Sequence, residues 1–264
     1  MKIAENRRAL VTGGASGFGR AICQSLHGAG AQVAVVDIDE ASIERTTMEL
    51  GDRAIGVRAD VRSRAEVHAA VDRAVEAFGG LDTLVVSAGV FDAGDLEDIT
   101  DERWDRILDI NLKGAFLAAQ AAMPHLRASG RGRVVMISSD AGRRGFSGLA
   151  AYTASKFGLN GLMESIAAEV AKDNVTVNTL CPVGCPTTNM GQVVLAGKIA
   201  RTGAAAEEIL AKAAATNPLG RNMYESDVAD ATMFLVSEHS SFLTGVALDV
   251  DGGASLGRNP GTDD

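Results

Sequence analysis

Short apolar runs rich in β-branched residues alternate with longer segments of helical periodicity along the chain. The first run, residues 9–12, ends in glycines, and a pattern with Ala21, Ile22 and Leu26 on one helical face follows it. Similar runs predict strands at residues 9–12, 32–36, 54–59, 84–86, 133–137, 175–180 and 246–250. The remaining segments predict helices at 42–50, 67–78, 101–129, 152–172, 191–216 and 226–236. Pro124 is expected to kink or divide the long segment 101–129.

This alternation predicts the fold class. Several strands are apolar on both faces, which is typical of a parallel sheet covered by helices on both sides. We therefore expect an α/β fold, a Rossmann-like doubly wound parallel sheet of about seven strands with right-handed crossovers. The sequence shows no repeat and no interdomain linker, so residues 1–264 are expected to form a single domain. The glycine-rich tail 252–264 is expected to be a surface terminus.

Composition and charge exclude several classes of function. The 264 residues are 46% apolar and 22% charged with a net charge of −9, which is ordinary for a soluble globular protein and argues against nucleic acid as a partner. The sequence suggests neither a signal peptide nor a membrane span, so a cytoplasmic protein is expected. Cys181 and Cys185 leave a redox pair open, but free thiols are favoured. The four histidines are scattered, so no metal site is expected.

A glycine-rich turn joins the first strand to the first helix. Its sequence, TGGASGFG at residues 12–19, places Gly13, Gly17 and Gly19 where the backbone could approach a pyrophosphate at the positive end of the helix. The spacing differs by one residue from the G-x-G-x-x-G fingerprint, while the strand–turn–helix context agrees with it. The alternative is an ordinary glycine-rich turn.

Acidic residues end the second and third strands. Asp37 could accept both ribose hydroxyls of NAD and would repel the 2′-phosphate of NADP, and Ser16 offers no positive charge to that phosphate. The alternative for Asp37 is a helix N-cap or a solvated acid. Asp60 could accept from the adenine amine while Val61 packs on the ring, or Asp60 could cap the helix that begins near Ser63.

Small residues end the fourth strand. Ser87, Ala88 and Gly89 would let the backbone lie close to a ribose. Ligands of open α/β sheets bind at the carboxyl ends of the strands, where these residues and both acids fall.

Tyr152 and Lys156 are four residues apart, so on a helix they share one face. A phenol beside an ammonium group is a proton donor and acceptor whose pKa the positive charge lowers. Ser139, thirteen residues earlier, could hold a substrate oxygen against that phenol. The spacing alone also arises by chance in helices.

The sequence resembles the short-chain dehydrogenase/reductase family over essentially its whole length. The matching segments are TGGASGFG (12–19), Asp60-Val61, SAG (87–89), NLKG (111–114), ISS (137–139), YTASK (152–156), Asn178 with Pro182, PLGR (218–221) and VDGG (250–253). The resemblance implies that Tyr152 is the general acid/base, that Lys156 lowers its pKa and binds the nicotinamide ribose, and that Ser139 orients the substrate oxygen. It also implies that Asn111 supports a water molecule in a proton relay; a buried helix amide satisfied by backbone is the alternative.

The same resemblance implies an NAD site. Its expected members are Gly13, Ser16, Gly17, Phe18, Gly19, Asp37, Ile38, Asp60, Val61, Ser87, Ala88, Gly89, Tyr152, Lys156, Pro182, Cys185 and Thr187. Two departures from the family bear on this site. Ser87 replaces an asparagine, and Val183 replaces a glycine after Pro182, so the loop 182–188 is expected to have a different shape that uses Gly184.

Two further segments leave alternatives open. Arg143 and Arg144 follow the catalytic serine, and they either meet a substrate carboxylate or lie in a solvated loop. Residues 189–216 correspond to the family's substrate-covering segment, one or two short helices that either close on a ligand or pack against another subunit. The resemblance implies a homotetramer or a dimer.

The expected function is NAD(H)-dependent hydride transfer between nicotinamide and a secondary alcohol or ketone. One alternative is a 3-oxoacyl-thioester reductase, against which Asp37 counts because such enzymes usually take NADPH. The other is a nucleotide-sensing protein without turnover, which has no need of Ser139, Tyr152 and Lys156 together.

Overall fold

A computed structural model describes residues 4–256; residues 1–3 and 257–264, and with them most of the expected terminal tail, lie outside the described part. Within it, one parallel sheet of seven strands forms the centre, in the order β3-β2-β1-β4-β5-β6-β7. The predicted doubly wound sheet is confirmed. The strands are β1 (Arg8–Thr12), β2 (Gln32–Asp37), β3 (Ala54–Arg58), β4 (Thr83–Val86), β5 (Arg133–Ile137), β6 (Thr176–Pro182) and β7 (Ala247–Val250).

Helices cover both faces of this sheet. They are α1 (Gly17–Gly28), α2 (Glu40–Leu50), α3 (Arg64–Phe78), α4 (Asp101–Leu108), α5 (Gly114–Ala128), α6 (Ala150–Val170), α7 (Asn189–Thr202), α8 (Ala206–Ala215) and α9 (Glu225–Val236).

The sheet is buried on both sides because successive side chains of a strand point to opposite faces. In β1, Leu10 belongs to the core cluster beneath α3, α5 and α6, while Ala9 and Val11 belong to the cluster beneath α1 and α9. The five residues of β5 are all buried. The apolar runs therefore predicted the central strands well.

The long segment 101–129 breaks at a different place from the one expected. A π-helical turn, residues 109–113, separates α4 from α5, and it ends with the Gly114 amide donating to the Asp109 carbonyl. Pro124 lies inside α5 without ending it. Because Pro124 and Gln120 are both exposed, water can satisfy the Gln120 carbonyl that a proline leaves without its helical partner.

One buried carboxylate ties the amino-terminal edge of the sheet together. The Asp82 carboxylate accepts from the Arg8 backbone amide at 3.1 Å, from Arg8 Nε at 3.2 Å and from Arg131 Nη2 at 3.0 Å. Arg7 adds a longer ion pair at 3.7 Å. A fully buried acid with several charged partners is costly to unpair.

The opposite, carboxyl-terminal edge carries the predicted motifs. The turn 13–16 leaves β1 there, Asp37 ends β2, and Ser87 follows β4. Ser139 follows β5, and the loop 183–188 follows β6. Since all strands are parallel, these segments share one side of the sheet.

Candidate active site

The glycine-rich turn, which contains four glycines, packs tightly at Gly13 and Gly19. A Cβ on Gly13 would lie 2.7 Å from the backbone of Ala88, and one on Gly19 would lie 2.0 Å from the Gly13 carbonyl oxygen. Both residues are therefore required by the packing of the chain itself. Gly17 differs, because the nearest atoms to a Cβ there belong to Thr188 at 3.6 Å.

The open space at Gly17 fits a phosphate group. Gly17 begins α1, and a cavity of about 770 Å³ opens beside it, lined among others by Ser16, Thr187 and Thr188. A helix amino terminus presents free amide hydrogens and a positive dipole end. The predicted nucleotide loop thus has the shape and polarity that a pyrophosphate needs.

Asp37 is bound to the same turn. Its Oδ2 accepts from the Ala15 amide at 3.2 Å and its Oδ1 from the Ile38 amide at 2.8 Å. The N-cap of α2 is Asp39, whose carboxylate accepts from the Ser42 amide, so the capping alternative for Asp37 is wrong. Ile38 is half exposed beside it. The pair therefore lies at the carboxyl end of β2, directly beside the glycine-rich turn.

Asp60 is held by a neighbouring arginine. Arg62 binds both carboxylate oxygens at 2.6–3.0 Å, and this hydrogen bonding lowers the pKa of Asp60. Ser63 caps α3, so the capping alternative for Asp60 is wrong as well. Val61 packs against Gly114, where a Cβ would meet its side chain at 2.9 Å.

The segment 87–89 runs close to the first strand and the catalytic lysine. The Ser87 amide donates to the Thr12 carbonyl at 3.1 Å, and the Ala88 amide to Thr12 Oγ1 at 3.4 Å. A Cβ on Gly89 would stand 3.7 Å from Lys156 Nζ. The small residues 87–89 therefore let the backbone lie next to the lysine side chain.

Ser139, Tyr152 and Lys156 meet at the end of β5. Tyr152 and Lys156 lie in the first two turns of α6, and all three side chains are buried. Lys156 Nζ donates to the Ile137 carbonyl at 2.9 Å and lies 5.7 Å from the centre of the Tyr152 ring. Ser138 ties the same helix to the strand through the Lys156 carbonyl at 3.3 Å. The predicted trio therefore forms one cluster.

The pKa of Tyr152 shifts in the opposite direction from the one expected. Burial raises the pKa of Tyr152 to about 12, while a hydrogen bond with Ser139 opposes this and the charge of Asp140 adds to it. Burial lowers the pKa of Lys156 to about 8. Desolvation dominates both shifts, and the ammonium group donates to the Ile137 carbonyl.

The Asn111 side chain is hydrogen-bonded to the protein through both its oxygen and its nitrogen. It lies in the π turn, where its Oδ1 accepts from the Val90 amide at 2.8 Å and its Nδ2 donates to the Val90 carbonyl at 3.0 Å and to Ser155 Oγ at 3.1 Å. The alternative interpretation as a buried amide satisfied largely by backbone is confirmed for the side chain. The π turn, a frequent feature of functional sites, has no signal in the sequence.

The loop after β6 is less unusual than the sequence suggests. Val183 continues the sheet by donating to the Val250 carbonyl at 3.3 Å, and no residue of 182–188 has a positive φ. Gly184 therefore supplies no left-handed turn, and Val183 continues the pairing of β6 with β7 without a positive φ.

Two expected cofactor contacts in this loop already have partners. The Cys185 carbonyl accepts from Thr188 Oγ1 at 3.0 Å, and Thr187 Oγ1 donates to Glu225 at 2.7 Å. Thr188 caps α7 through the Gly191 amide at 2.9 Å. The Thr187 hydroxyl would have to turn away from Glu225 to reach a phosphate.

The two arginines after Ser139 differ from each other. Arg143 forms an ion pair with Asp249 at 3.1 Å, whereas Arg144 makes only a 3.7 Å contact with Asp140 and stacks over the Phe146 ring at 5.1 Å. Both are about half exposed. Asp140, to which the sequence patterns assign no role, hydrogen-bonds Ser139 at 3.0 Å.

The expected substrate-covering segment consists of α7 and α8, separated at Gly203, which has a left-handed conformation. Neither helix has a buried residue, and Val193 is 64% exposed. The apolar side chains of both helices are thus at most partly covered within the described chain.

Cys23, Cys181 and Cys185 are free thiols. Among residues 4–256, no group of three or more histidine, cysteine or acidic side chains is arranged to hold a metal ion. No described helix combines the length and apolarity that a membrane crossing requires.

The fold and this site together define an oxidoreductase that uses a nicotinamide cofactor. The family model described as enoyl-(acyl carrier protein) reductase matches residues 13–255. The chain belongs to the short-chain dehydrogenase/reductase family and acts in NAD(P)-linked oxidation of secondary alcohols or reduction of ketones.

Two curated relatives have comparable similarity. The chain is 36% identical to 2-(S)-hydroxypropyl-CoM dehydrogenase 3 of Xanthobacter autotrophicus, over 94% of this chain and 96% of the relative. It is also 36% identical to trans-4-hydroxycyclohexanecarboxylate dehydrogenase of Sinomonas cyclohexanicum, over 98% of this chain and 96% of the relative.

Two solved structures have the same fold and different cofactors. Actinorhodin polyketide ketoreductase with NADPH superposes with a TM-score of 0.90 at 33% identity, covering 95% of this chain and 97% of the other. The 3-ketoacyl-(acyl-carrier-protein) reductase of Brucella melitensis complexed with NADH gives a TM-score of 0.86 at 33% identity, covering 96% and 99%.

Proposed function

We propose that this enzyme uses NAD(H) and that Tyr152 is its general acid/base, with Ser139 and Lys156 as partners. The observation that carries this proposal is the buried cluster of these three side chains at the strand edge that also holds the glycine-rich turn. The fold does not require a phenol, a hydroxyl and an ammonium group to be buried side by side. Proton transfer to a substrate oxygen does use all three.

Each side chain has a chemical task in this proposal. A bound nicotinamide supplies the hydride donor or acceptor. Tyr152, with its raised pKa, is protonated at neutral pH and ready to donate a proton to a substrate carbonyl oxygen. Lys156, whose pKa of about 8 lies near neutrality, gains or loses a proton without a large free-energy change. It is therefore suited to passing protons between the phenol and water.

Asp37 supports NAD as the cofactor. Its carboxylate is fixed by the Ala15 and Ile38 amides at the end of β2. A 2′-phosphate beside this carboxylate would be repelled, while a 2′-hydroxyl could donate to it. We expect Asp37→Ala to lower kcat/KM for NAD by about tenfold or more. The preference of the enzyme for NAD over NADP should become smaller as a result. Higher kcat/KM for NADP than for NAD in the unmodified enzyme would contradict the assignment.

The substrate is proposed to be a secondary alcohol or its ketone, and the protein a cytoplasmic homotetramer or dimer. The relatives named for hydroxypropyl and hydroxycyclohexanecarboxylate substrates support this class. Reduction of a 3-oxoacyl thioester is the second candidate, because the chain resembles a 3-ketoacyl-(acyl-carrier-protein) reductase over 96% of its length.

One panel tests these assignments. Secondary alcohols, ketones and a 3-oxoacyl thioester are supplied with NAD(H) and NADP(H), and formation or loss of reduced nicotinamide is followed by absorbance. We expect turnover with NAD(H), and a fall of about 10²–10⁴-fold in Tyr152→Phe. Tyr224→Phe removes the other phenol of the chain, which is exposed, and shows what the loss of a phenol outside the buried cluster does. Wild-type turnover in Tyr152→Phe would contradict the role of Tyr152.

A further inference from the structure

Ser139 has an acidic partner that the proposed chemistry does not use. Its Oγ lies 3.0 Å from Asp140 Oδ1 and accepts a hydrogen bond from the Ala141 amide at 3.1 Å. Both contacts belong to the single 3₁₀ turn that follows β5. Ser139 is therefore already hydrogen-bonded on two sides before any substrate arrives.

The Ser139 hydroxyl has one hydrogen and two lone pairs. The Ala141 amide takes one lone pair. An ionised carboxylate only accepts hydrogen bonds, so a charged Asp140 takes the single hydrogen. What then remains on Ser139 for a third partner is a lone pair.

We propose that Asp140 is a positioning residue for the Ser139 proton, so that the charge of Asp140 decides whether Ser139 offers the substrate oxygen a lone pair or a hydrogen. With Asp140 ionised, Ser139 accepts from an alcohol hydroxyl. With Asp140 protonated, the carboxyl group donates to Ser139, and the Ser139 hydrogen turns to a ketone oxygen. This inference rests on the proposed function for its consequence in catalysis.

Tyr152 competes for the same hydrogen. A hydrogen bond from Ser139 lowers the pKa of Tyr152, whereas the charge of Asp140 raises it. The Asp140 carboxylate and the Tyr152 phenol both lie beside the Ser139 hydroxyl. The single hydrogen of that hydroxyl cannot be donated to both groups. A charged Asp140 therefore opposes formation of the Tyr152 phenolate in two ways, by its field and by withholding the Ser139 hydrogen.

The surroundings leave the charge of Asp140 adjustable. Burial raises the pKa of Asp140, while the hydrogen bond from Ser139 and the charge of Arg144 at 3.7 Å lower it. The other charged or titratable groups on the elements around it are already paired or buried. They are Arg143 with Asp249 of β7, Asp251 with the Gly253 and Ser255 amides, Lys156 of α6 with the Ile137 carbonyl, Tyr152 of α6, and Cys181 of β6.

The direct test titrates Tyr152 without substrate or cofactor. The chain has two tyrosines, so Tyr224→Phe leaves Tyr152 as the sole phenol, and its ionisation is followed by ultraviolet absorbance. In this background we expect Asp140→Asn to lower the pKa of Tyr152 by about one pH unit, because the charge is lost and the amide can donate to Ser139. At pH 11 the ionised fraction should then rise from roughly one tenth to about one half.

Three controls separate this role from a structural one. Asp249→Asn removes a nearby acid that is paired with Arg143, and it should leave the titration unchanged. Adding Ser139→Ala should shrink the effect of Asp140→Asn, because the part transmitted by the hydroxyl is gone. Circular dichroism at each pH confirms that the protein is folded. An unchanged Tyr152 titration in folded Asp140→Asn would overturn the proposal.

Kinetics supply the second readout, with the alcohol–ketone pair that turns over best. The equilibrium constant of the reaction fixes the ratio of kcat/KM for ketone reduction to kcat/KM for alcohol oxidation. A mutation cannot change that ratio, so we expect its effect in the individual KM values. In Asp140→Asn, KM for the ketone at alkaline pH should fall about tenfold and KM for the alcohol should rise. The reason is that Ser139 then donates a hydrogen bond to the ketone oxygen instead of accepting one from the alcohol hydroxyl. Unchanged KM values for both would contradict the proposal. If no alcohol–ketone pair were turned over but Asp140→Asn still shifted the Tyr152 titration, the proposed function would be wrong. The link between Asp140, Ser139 and Tyr152 would still hold.

Discussion

Replacing Lys156 by methionine should leave the ligand-free protein at least as stable at neutral pH as the unmodified protein. Lys156 is buried, and burial lowers its pKa from the ordinary 10.5 to about 8. Below pH 8 the folded protein must hold a charged ammonium group that the unfolded chain holds in water. A difference of one pH unit between the folded and unfolded pKa corresponds to about 1.4 kcal/mol, so the destabilisation at pH 7 is about 3 kcal/mol.

Methionine also removes a favourable contact. The Ile137 carbonyl, which accepts from Lys156 Nζ at 2.9 Å, loses its partner, and this costs about 1–3 kcal/mol. The net expectation at pH 7 is a gain of about 0–2 kcal/mol for Lys156→Met. The sign with pH follows from the lowered pKa. As pH rises through 8 towards 10.5, the lysine becomes neutral in the folded state and its destabilising effect disappears.

Urea unfolding of both proteins at pH 7 and pH 10.5 measures this effect. The free-energy difference between Lys156→Met and the unmodified protein should change by about 3 kcal/mol between the two pH values, in favour of the unmodified protein at high pH. Lys172→Met, at an exposed lysine, should show little such change. A difference for Lys156→Met that is the same at both pH values would refute the reasoning.

Other predictions concern packing and buried polar groups. Gly13→Ala should destabilise the fold by more than about 2 kcal/mol in urea unfolding, because its Cβ would meet the Ala88 backbone at 2.7 Å. Gly17→Ala, where space is open, should cost about 1 kcal/mol in stability but weaken NAD binding measured by calorimetry. Asp82→Ala should cost about 3–5 kcal/mol, since it removes the buried carboxylate that Arg8 and Arg131 share. Asn111→Ala should cost about 1–3 kcal/mol by leaving two backbone groups without partners. If Asp82→Ala or Asn111→Ala were as stable as the unmodified protein, the claim that these buried polar side chains stabilise the fold would be wrong.

The fold was largely predictable because buried parallel strands have uninterrupted apolar sequences. Runs such as residues 133–137 are buried at every position, and only a sheet covered on both faces buries all of them. The glycine-rich turn was predictable for a similar reason, since Gly13 and Gly19 have neighbours that exclude a side chain.

The sequence could not show which hydrogen bonds the site side chains would form. Spacing placed Lys156 beside Tyr152, but the direction of its ammonium group depends on the Ile137 carbonyl, which side-chain patterns do not reveal. The same holds for Asn111, whose amide is bound by Val90. The π turn that positions it depends on main-chain hydrogen bonding rather than on residue type.

Hydride transfer that depends on Tyr152 is the central claim, and one labelling measurement tests it most directly. Reduced NAD carrying deuterium at the transferable position is mixed with a ketone of the panel, and the product alcohol is examined by mass spectrometry. We predict deuterium at the carbinol carbon with the unmodified enzyme, and a rate lower by about 10²–10⁴-fold in folded Tyr152→Phe. Deuterium transfer at the unmodified rate in Tyr152→Phe, or none with any ketone in the unmodified enzyme, would contradict the claim.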